Sequence, residues 1–280
     1  METGQKTTQI NSKIEQNNDK VLSIQVSLNG LSFCILDKDM KSITFYKSFL
    51  FEKRLNPGEV LDRLTHQFNT ESALQQSFSN VSVVHDNELS SLVPKPLFNE
   101  EFVADYLKFN SKILRSDYIT YDEMQINDAV NVYVPYVNIN NFLYDKFGEF
   151  EFKHFSTIVL ENILSIEKNS KNCKMYVHLS DCHFEIIIAE NGQLKLYNTF
   201  EHSTKEDFIY YILFTAEQLE MNPEEFSMEI IGNIDEEHEF FQIAYKYVRD
   251  VTLFVPNQKL ELADEVDVKC LQHFVIVNSF

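Results

Sequence analysis

Apolar and polar residues alternate with a period of two in two separate stretches of this chain, and the stretches can be laid over one another. Leu22-Ser23-Ile24-Gln25-Val26-Ser27 sets over Met175-Tyr176-Val177-His178-Leu179-Ser180, and Leu31, Phe33 and Ile35 fall over Phe184, Ile186 and Ile188. Past a turn that absorbs two residues, Phe45-Tyr46-Lys47-Ser48-Phe49 lies over Leu196-Tyr197-Asn198-Thr199-Phe200. A period of two is the signature of β-strands. The pattern therefore predicts the same three-stranded antiparallel meander twice, over residues 22–49 and 175–200, each heading its own half of the molecule.

Between and after these repeats the apolar period lengthens to that of helices. Asn56-Pro57-Gly58-Glu59 opens one, with Pro in its first turn and Val60, Leu61, Leu64 and Phe68 as its apolar face. Val81 to Val84 reads as a short buried strand. Leu92-Val93-Pro94 leads to a helix whose face is Phe98, Phe102, Tyr106 and Leu107, with Asn99-Glu100-Glu101 at its start. Strands follow around Tyr118 to Tyr121 and at Ala129 to Val134, then helices at Val137 to Phe147 and Phe155 to Glu167. In the second half the order is three strands, a helix from Thr204 to Glu220, a strand at Phe226 to Ile231, a helix from Glu236 to Val248, and a strand at Val251 to Val255. Ser203 with Glu206 reads as the capping box of the first of these helices.

Three antiparallel strands followed by helix, strand, helix, strand form a ribonuclease H-like unit. Two in one chain make an α/β (α+β) protein of actin-like architecture. The polar run Lys168-Asn169-Ser170-Lys171-Asn172 divides the halves, giving 21–170 and 171–280, while the polar residues 1–20 are expected to be a flexible tail without the apolar core of a signal peptide.

Charge and cysteine content narrow the function. Across 280 residues, 24 basic against 43 acidic side chains give a net charge of −19, which opposes a phosphate backbone and argues against a nucleic-acid partner. The four cysteines, at positions 34, 173, 182 and 270, contain no Cys-x-x-Cys pair, so reduced thiols in a cytoplasmic protein are expected. No apolar run reaches the roughly 18 residues of a membrane helix, so no membrane insertion is expected.

The duplicated meander, with Leu92-Val93-Pro94, Tyr133-Val134-Pro135 and Lys153-His154-Phe155, resembles the actin-like superfamily and, more closely, the bacterial family known as domain of unknown function 3822, over roughly Val21 to Phe280. The resemblance implies a phosphate-binding hairpin heading each half, where a strand-end Asp, an apolar residue and a Gly organise Mg²⁺, water and phosphate. Here those positions read Gln25-Val26-Ser27 and His178-Leu179-Ser180. Both acids are absent and both glycines are serines: Gln and His are poor Mg²⁺ ligands, and a Cβ crowds a turn that must approach phosphate closely. Asn29-Gly30 sits at the first hairpin tip, and Gly232-Asn233, after the strand Phe226 to Ile231, falls near where the resemblance implies adenosine-contacting glycines, although Asn-Gly is also the commonest tight-turn pair. The cleft positions to examine are thus Gln25, Ser27, Asn29, Gly30, His178, Ser180, Asp181, Gly232 and Asn233.

Other chemistry finds weaker support. His178, Asp181, Cys182 and His183 could supply metal ligands, but the strand period sends His178 and Cys182 to one face and Asp181 and His183 to the other unless the turn intervenes, and an ordinary polar hairpin is preferred. His154 reads as a structural histidine. No Gly-x-Ser-x-Gly elbow is present and no cysteine has an activating neighbourhood. Asp235-Glu236-Glu237-His238-Glu239 reads as acids favouring a helix dipole.

The function that follows is a non-catalytic actin-like scaffold or partner-binding protein with no cofactor and an unidentified protein partner. The alternative is an ATP-binding protein, with Mg²⁺, in an unusual pocket, and a ribonuclease H-type enzyme comes third. Tyr136, Phe142, Tyr144, Phe147 and Phe150 are the expected recognition surface.

Overall fold

The computed structural model describes residues 19–109, 111–180, 183–255, 261–263, 266 and 273–280. The first meander forms as β1 (Lys20–Val26), β2 (Gly30–Asp37) and β3 (Ser42–Leu50), followed by α1 (Pro57–Thr70) and β4 (Asn80–His85). An insertion of β5 (Ser90–Pro94), α2 (Val103–Lys108), β6 (Thr120–Glu123) and β7 (Ala129–Tyr133) makes a separate three-stranded sheet, ordered β5-β7-β6. The chain then returns through α3 (Val137–Phe147), β8 (Glu151–His154) and α4 (Phe155–Glu167). The second half runs β9 (Cys173–Leu179), β10 (His183–Glu190), β11 (Gln193–Glu201), α5 (Lys205–Gln218), β12 (Ser227–Ile231), α6 (Glu239–Tyr247), β13 (Asp250–Leu253), β14 (Glu261–Leu262) and α7 (Phe274–Val277).

Each half is a ribonuclease H-like unit. One sheet is ordered β14-β3-β2-β1-β4-β8 and the other β11-β10-β9-β12-β13, with antiparallel meanders joined to parallel strands. Strands β9 and β10 start and stop 153 residues after β1 and β2. The register of β2 on β3 shifts between Ile35 and Leu36, and that of β10 on β11 between Ile188 and Ala189, so the irregularity also recurs after 153 residues.

Both faces of each of the two large sheets carry packed helices. Leu22, Ile24, Phe33 and Val83 pack under α1 and α3, while Met175, Val177, Phe184 and Ile186 pack under α5 and α6. The opposite faces are covered reciprocally. Helix α4, from the first half, lays Val159, Leu160 and Ile163 on Tyr176, Ile187 and Ala189 of the second; α7, from the C-terminal end, lays Ile276 and Val277 on Cys34, Leu36 and Ile43 of the first.

Local chemistry explains where the helices begin. Asn56 caps α1 and Glu59 answers its backbone N–H, a complete capping box. The cap of α5 is Thr204 rather than Ser203, because the Asp207 carboxylate accepts from both the Ser203 and Thr204 amides while its own N–H donates to Thr204 Oγ1. Helix α6 starts at Glu239 rather than Glu236, since Asp235 Oδ1 takes the Glu237 amide in a preceding turn and His238 Nδ1 takes the Phe240 amide as cap. The expected helix through Phe98 to Leu107 is a short 3₁₀ turn followed by α2, and Leu92-Val93-Pro94 is strand β5.

The expected aromatic surface does not form. Tyr136, Phe142, Phe147 and Phe150 pack against the first core, and only Tyr144 stands open at 60% exposure. Aromatics recurring at helical spacing fall on the buried face of a helix.

Candidate functional site

The two hairpins bring their tips together at the carboxyl ends of β1, β9 and β12, where an open α/β sheet leaves a crevice. A cleft of about 300 Å³ opens there, lined among others by Gln25, Ser27, Asn29, Gly30, His178, Ser180 and Asn233. The structure thus collects most of the positions singled out from the sequence. Asp181 and Cys182 lie outside the described residues. Gly232 has φ +143°, and a Cβ there would meet the Leu179 carbonyl oxygen at 2.7 Å, so this glycine serves a close backbone approach. Gly30 is held likewise, its missing Cβ 2.6 Å from the Phe49 carbonyl oxygen.

Ser27 determines what the first turn can offer a ligand. Its Oγ accepts from the Gly30 amide at 2.8 Å and the Asn29 amide at 3.1 Å, and its own N–H donates to the Gly30 carbonyl at 3.0 Å. The amides that would cradle an anion are already satisfied within the turn. In the second turn the Ser180 N–H donates to the His183 carbonyl at 2.9 Å, the matching bond 153 residues on.

Gln25 and His178, at the strand-end positions, are tied into a buried polar chain that joins the halves. Gln25 Nε2 donates to Asp86 Oδ2 at 3.0 Å, and Asp86 Oδ1 faces His183 Nε2 across the interlobe boundary at 4.0 Å. His183 Nε2 lies 3.1 Å from Glu185 Oε1, an ion-pair contact rather than an aligned hydrogen bond, and His178 Nδ1 donates to Glu185 Oε2 at 2.7 Å. Burial alone would raise the Glu185 carboxyl, but the charge of His183 and the two histidine contacts outweigh it and hold the group down at about 2. For His183 burial works against the charged form, and Glu185 with Asp86 overcomes it, lifting the imidazole to about 9. Asp86, with burial as the main cause, is raised above the ordinary carboxylate value.

This arrangement corrects the facing expected from the strand period. His178 pairs across the ladder with Glu185, and Glu185 shares a face with His183 two residues earlier, so both histidines point to one side. The turn between the strands resets the alternation. Among the described residues no group of three or more His, Cys, Asp or Glu is arranged to hold a metal.

A second polar cluster sits under the inserted sheet. His154 Nδ1 accepts from the Ser156 amide at the start of α4 and Nε2 donates to the Asn87 carbonyl, while Asp122 accepts from Tyr133, Thr157 and the His154 amide. Burial depresses His154 to about 3, and His85, which donates to Asn140, to about 4. Both are neutral, satisfied core histidines in role.

The sequence of the chain matches the family described as Protein of unknown function (DUF3822) over residues 9–251. The chain belongs to that family. Its fold is similar to that of a Bacteroides thetaiotaomicron protein with actin-like ATPase fold and unknown function, at 23% identity and TM-score 0.73, covering 91% of this chain and 95% of that one. It is also similar to a chain of the PilM-PilN type IV pilus biogenesis complex, at 10% identity and TM-score 0.58, covering 91% and 94%. No curated protein matches the sequence. The architecture is therefore actin-like.

Mg²⁺-nucleotide does not fit this cleft as the actin-like ATPase fold would have it. Asp86 is the one carboxylate among the described lining residues, and it is engaged by Gln25. No lysine or arginine is among them either. Arg54 lines an adjoining cavity of about 410 Å³ and is paired with Glu88 at 2.5 Å. Asp86 and Glu185 are the residues that sequence reasoning missed. An acid directly after a buried strand, and an acid inside the aliphatic run of β10, were the available signals.

Proposed function

We propose that this DUF3822 protein is a non-catalytic actin-like protein, a scaffold or partner-binding module of the bacterial cytoplasm with degenerate phosphate loops. The observation that carries this reading is the first hairpin turn, where the Ser27 hydroxyl occupies the amides that a phosphate would need. Gln25 and His178 stand where the fold's ATPases keep carboxylates, and both are bound into the interlobe chain. The two halves, 21–170 and 171–280, are read as products of one duplicated unit, in keeping with the 153-residue recurrence of strand limits and bulge; of the expected tail 1–20, residues 1–18 lie outside the described residues and Lys20 opens β1. A protein of similar fold sits in the PilM-PilN complex, which supports a role exercised through a partner.

The second reading is a nucleotide-binding protein in which Asp86, opening onto the cleft, takes the place of the missing strand-end acids. Phosphate release with Mg²⁺-ATP and equilibrium binding of labelled ATP separate the two. Background turnover, unchanged in a Gln25→Ala, His178→Ala double variant, is expected. Turnover that disappears in the double variant would overthrow the non-catalytic reading.

A further inference from the structure

The outer helices of the second half carry an acidic, aromatic face. Residues 201–250 hold 13 acidic side chains against three basic ones, a net charge of −10 out of −19 for the chain. Two of those cations are engaged within the segment, Lys205 with Glu239 at 3.4 Å and Arg249 with Glu224 at 3.5 Å. The third, Lys246, lies over the Tyr247 ring.

On α5 the helical period places Glu206, Tyr210, Phe214 and Glu217 along one stripe, and all four are exposed, while Phe208, Ile209, Ile212, Thr215 and Ala216 are buried. The Tyr210 and Phe214 rings stack with centroids 5.9 Å apart and planes 19° from parallel. Tyr210 is 59% and Phe214 43% exposed, although both are large enough to be valued in a core. Among the described residues no cation pairs with Glu206 or Glu217. Two stacked ring faces bracketed by carboxylates attract a guanidinium or ammonium group from both sides, and rings that are already ordered lose little further freedom on binding.

We propose that the α5 face of Glu206, Tyr210, Phe214 and Glu217 docks a basic, arginine- or lysine-rich segment of a protein partner. The proposal rests on the partner-binding part of the function above and adds a surface and the chemistry of what it binds. The surrounding negative charge repels nucleic acid and anionic lipid, and it steers a basic segment inward.

The test uses the full chain and a fluorescein-labelled peptide of alternating Arg and Leu, with an alternating Glu and Leu peptide as control, read by fluorescence anisotropy. The Arg peptide should bind and the Glu peptide should not. Tyr210→Ala with Phe214→Ala should weaken binding roughly tenfold, and Glu206→Gln with Glu217→Gln should both weaken it and flatten its dependence on salt. Tyr144→Ala, which removes an exposed aromatic on the other half, should leave binding unchanged. Circular dichroism confirms that these surface variants fold. The proposal is overturned if the α5 variants bind like the wild type or if Tyr144→Ala is equally damaging. It is also overturned if sedimentation equilibrium reveals self-association that the α5 variants abolish, since a second copy would then be the occupant. Nucleotide turnover would end the non-catalytic reading without touching this result, so the two failures are distinguishable.

Discussion

His183 lies at the junction between the halves as the cation set between Glu185 of its own half and Asp86 of the other. Its folded value, about 9, lies above the ordinary 6.5, so its ion pairs contribute fully below pH 6.5 and that contribution fades as pH rises through 9. His154 has the opposite sign: depressed to about 3 by burial, it costs the folded state stability as pH falls below 6.5. Urea denaturation of wild type and single variants across pH should show both. The advantage of wild type over His183→Gln should shrink between pH 6.5 and 9, and wild type should lose ground to His154→Gln between pH 6.5 and 3. Parallel curves would refute this assignment. At Gly232 the prediction is steric: Gly232→Ala should cost about 1–3 kcal/mol, because a Cβ meets the Leu179 carbonyl oxygen in a backbone conformation that disfavours side chains. A loss below the error of chemical denaturation would show that the loop yields.

Among the elements, α5 offers two overlapping capping signals one residue apart, and geometry chooses between them. Asp207 closes two amides at once, which Glu206 does not. Thr204→Ala should therefore destabilise the protein by about 1 kcal/mol, whereas Ser203→Ala should change it by under about 0.5 kcal/mol. Thermal melts of the two variants side by side decide the matter, and equal losses would return the cap to Ser203. The meanders show the converse, sequence pattern and structure agreeing strand by strand, since alternation of apolar residues and a tight turn are local properties.

For the molecule as a whole, the important fact is that each half is covered by a helix belonging to the other end of the chain. Removing α4 from the second sheet uncovers Tyr176, Ile187 and Ala189, and removing α7 from the first uncovers Cys34, Leu36 and Ile43. The apolar face of α4 alone is worth on the order of 10 kcal/mol of burial, comparable to the whole stability of an ordinary domain. Residues 19–170 and 171–280 produced separately should each bind a hydrophobic dye and lack near-ultraviolet dichroism, and should regain it when mixed. A sharp, dye-free transition in either half alone would contradict this. Among the described residues no helix is long and apolar enough to cross a membrane.

The sequence by itself determined the two meanders, the limits of α3 and α4, and the presence of Gln and His at the strand-end positions 25 and 178, because each is written in contiguous residues whose period or identity can be read directly. Tertiary structure alone decided that Asp86 reaches Gln25 from 61 residues away, that Glu185 binds two histidines, that α4 and α7 cross between halves, and that the aromatics of 136–150 turn inward. These depend on which faces meet once the sheets are stacked. A period of 3.6 marks the apolar side of a helix without saying what covers it, and a buried acid carries no mark of the partner that makes its burial tolerable.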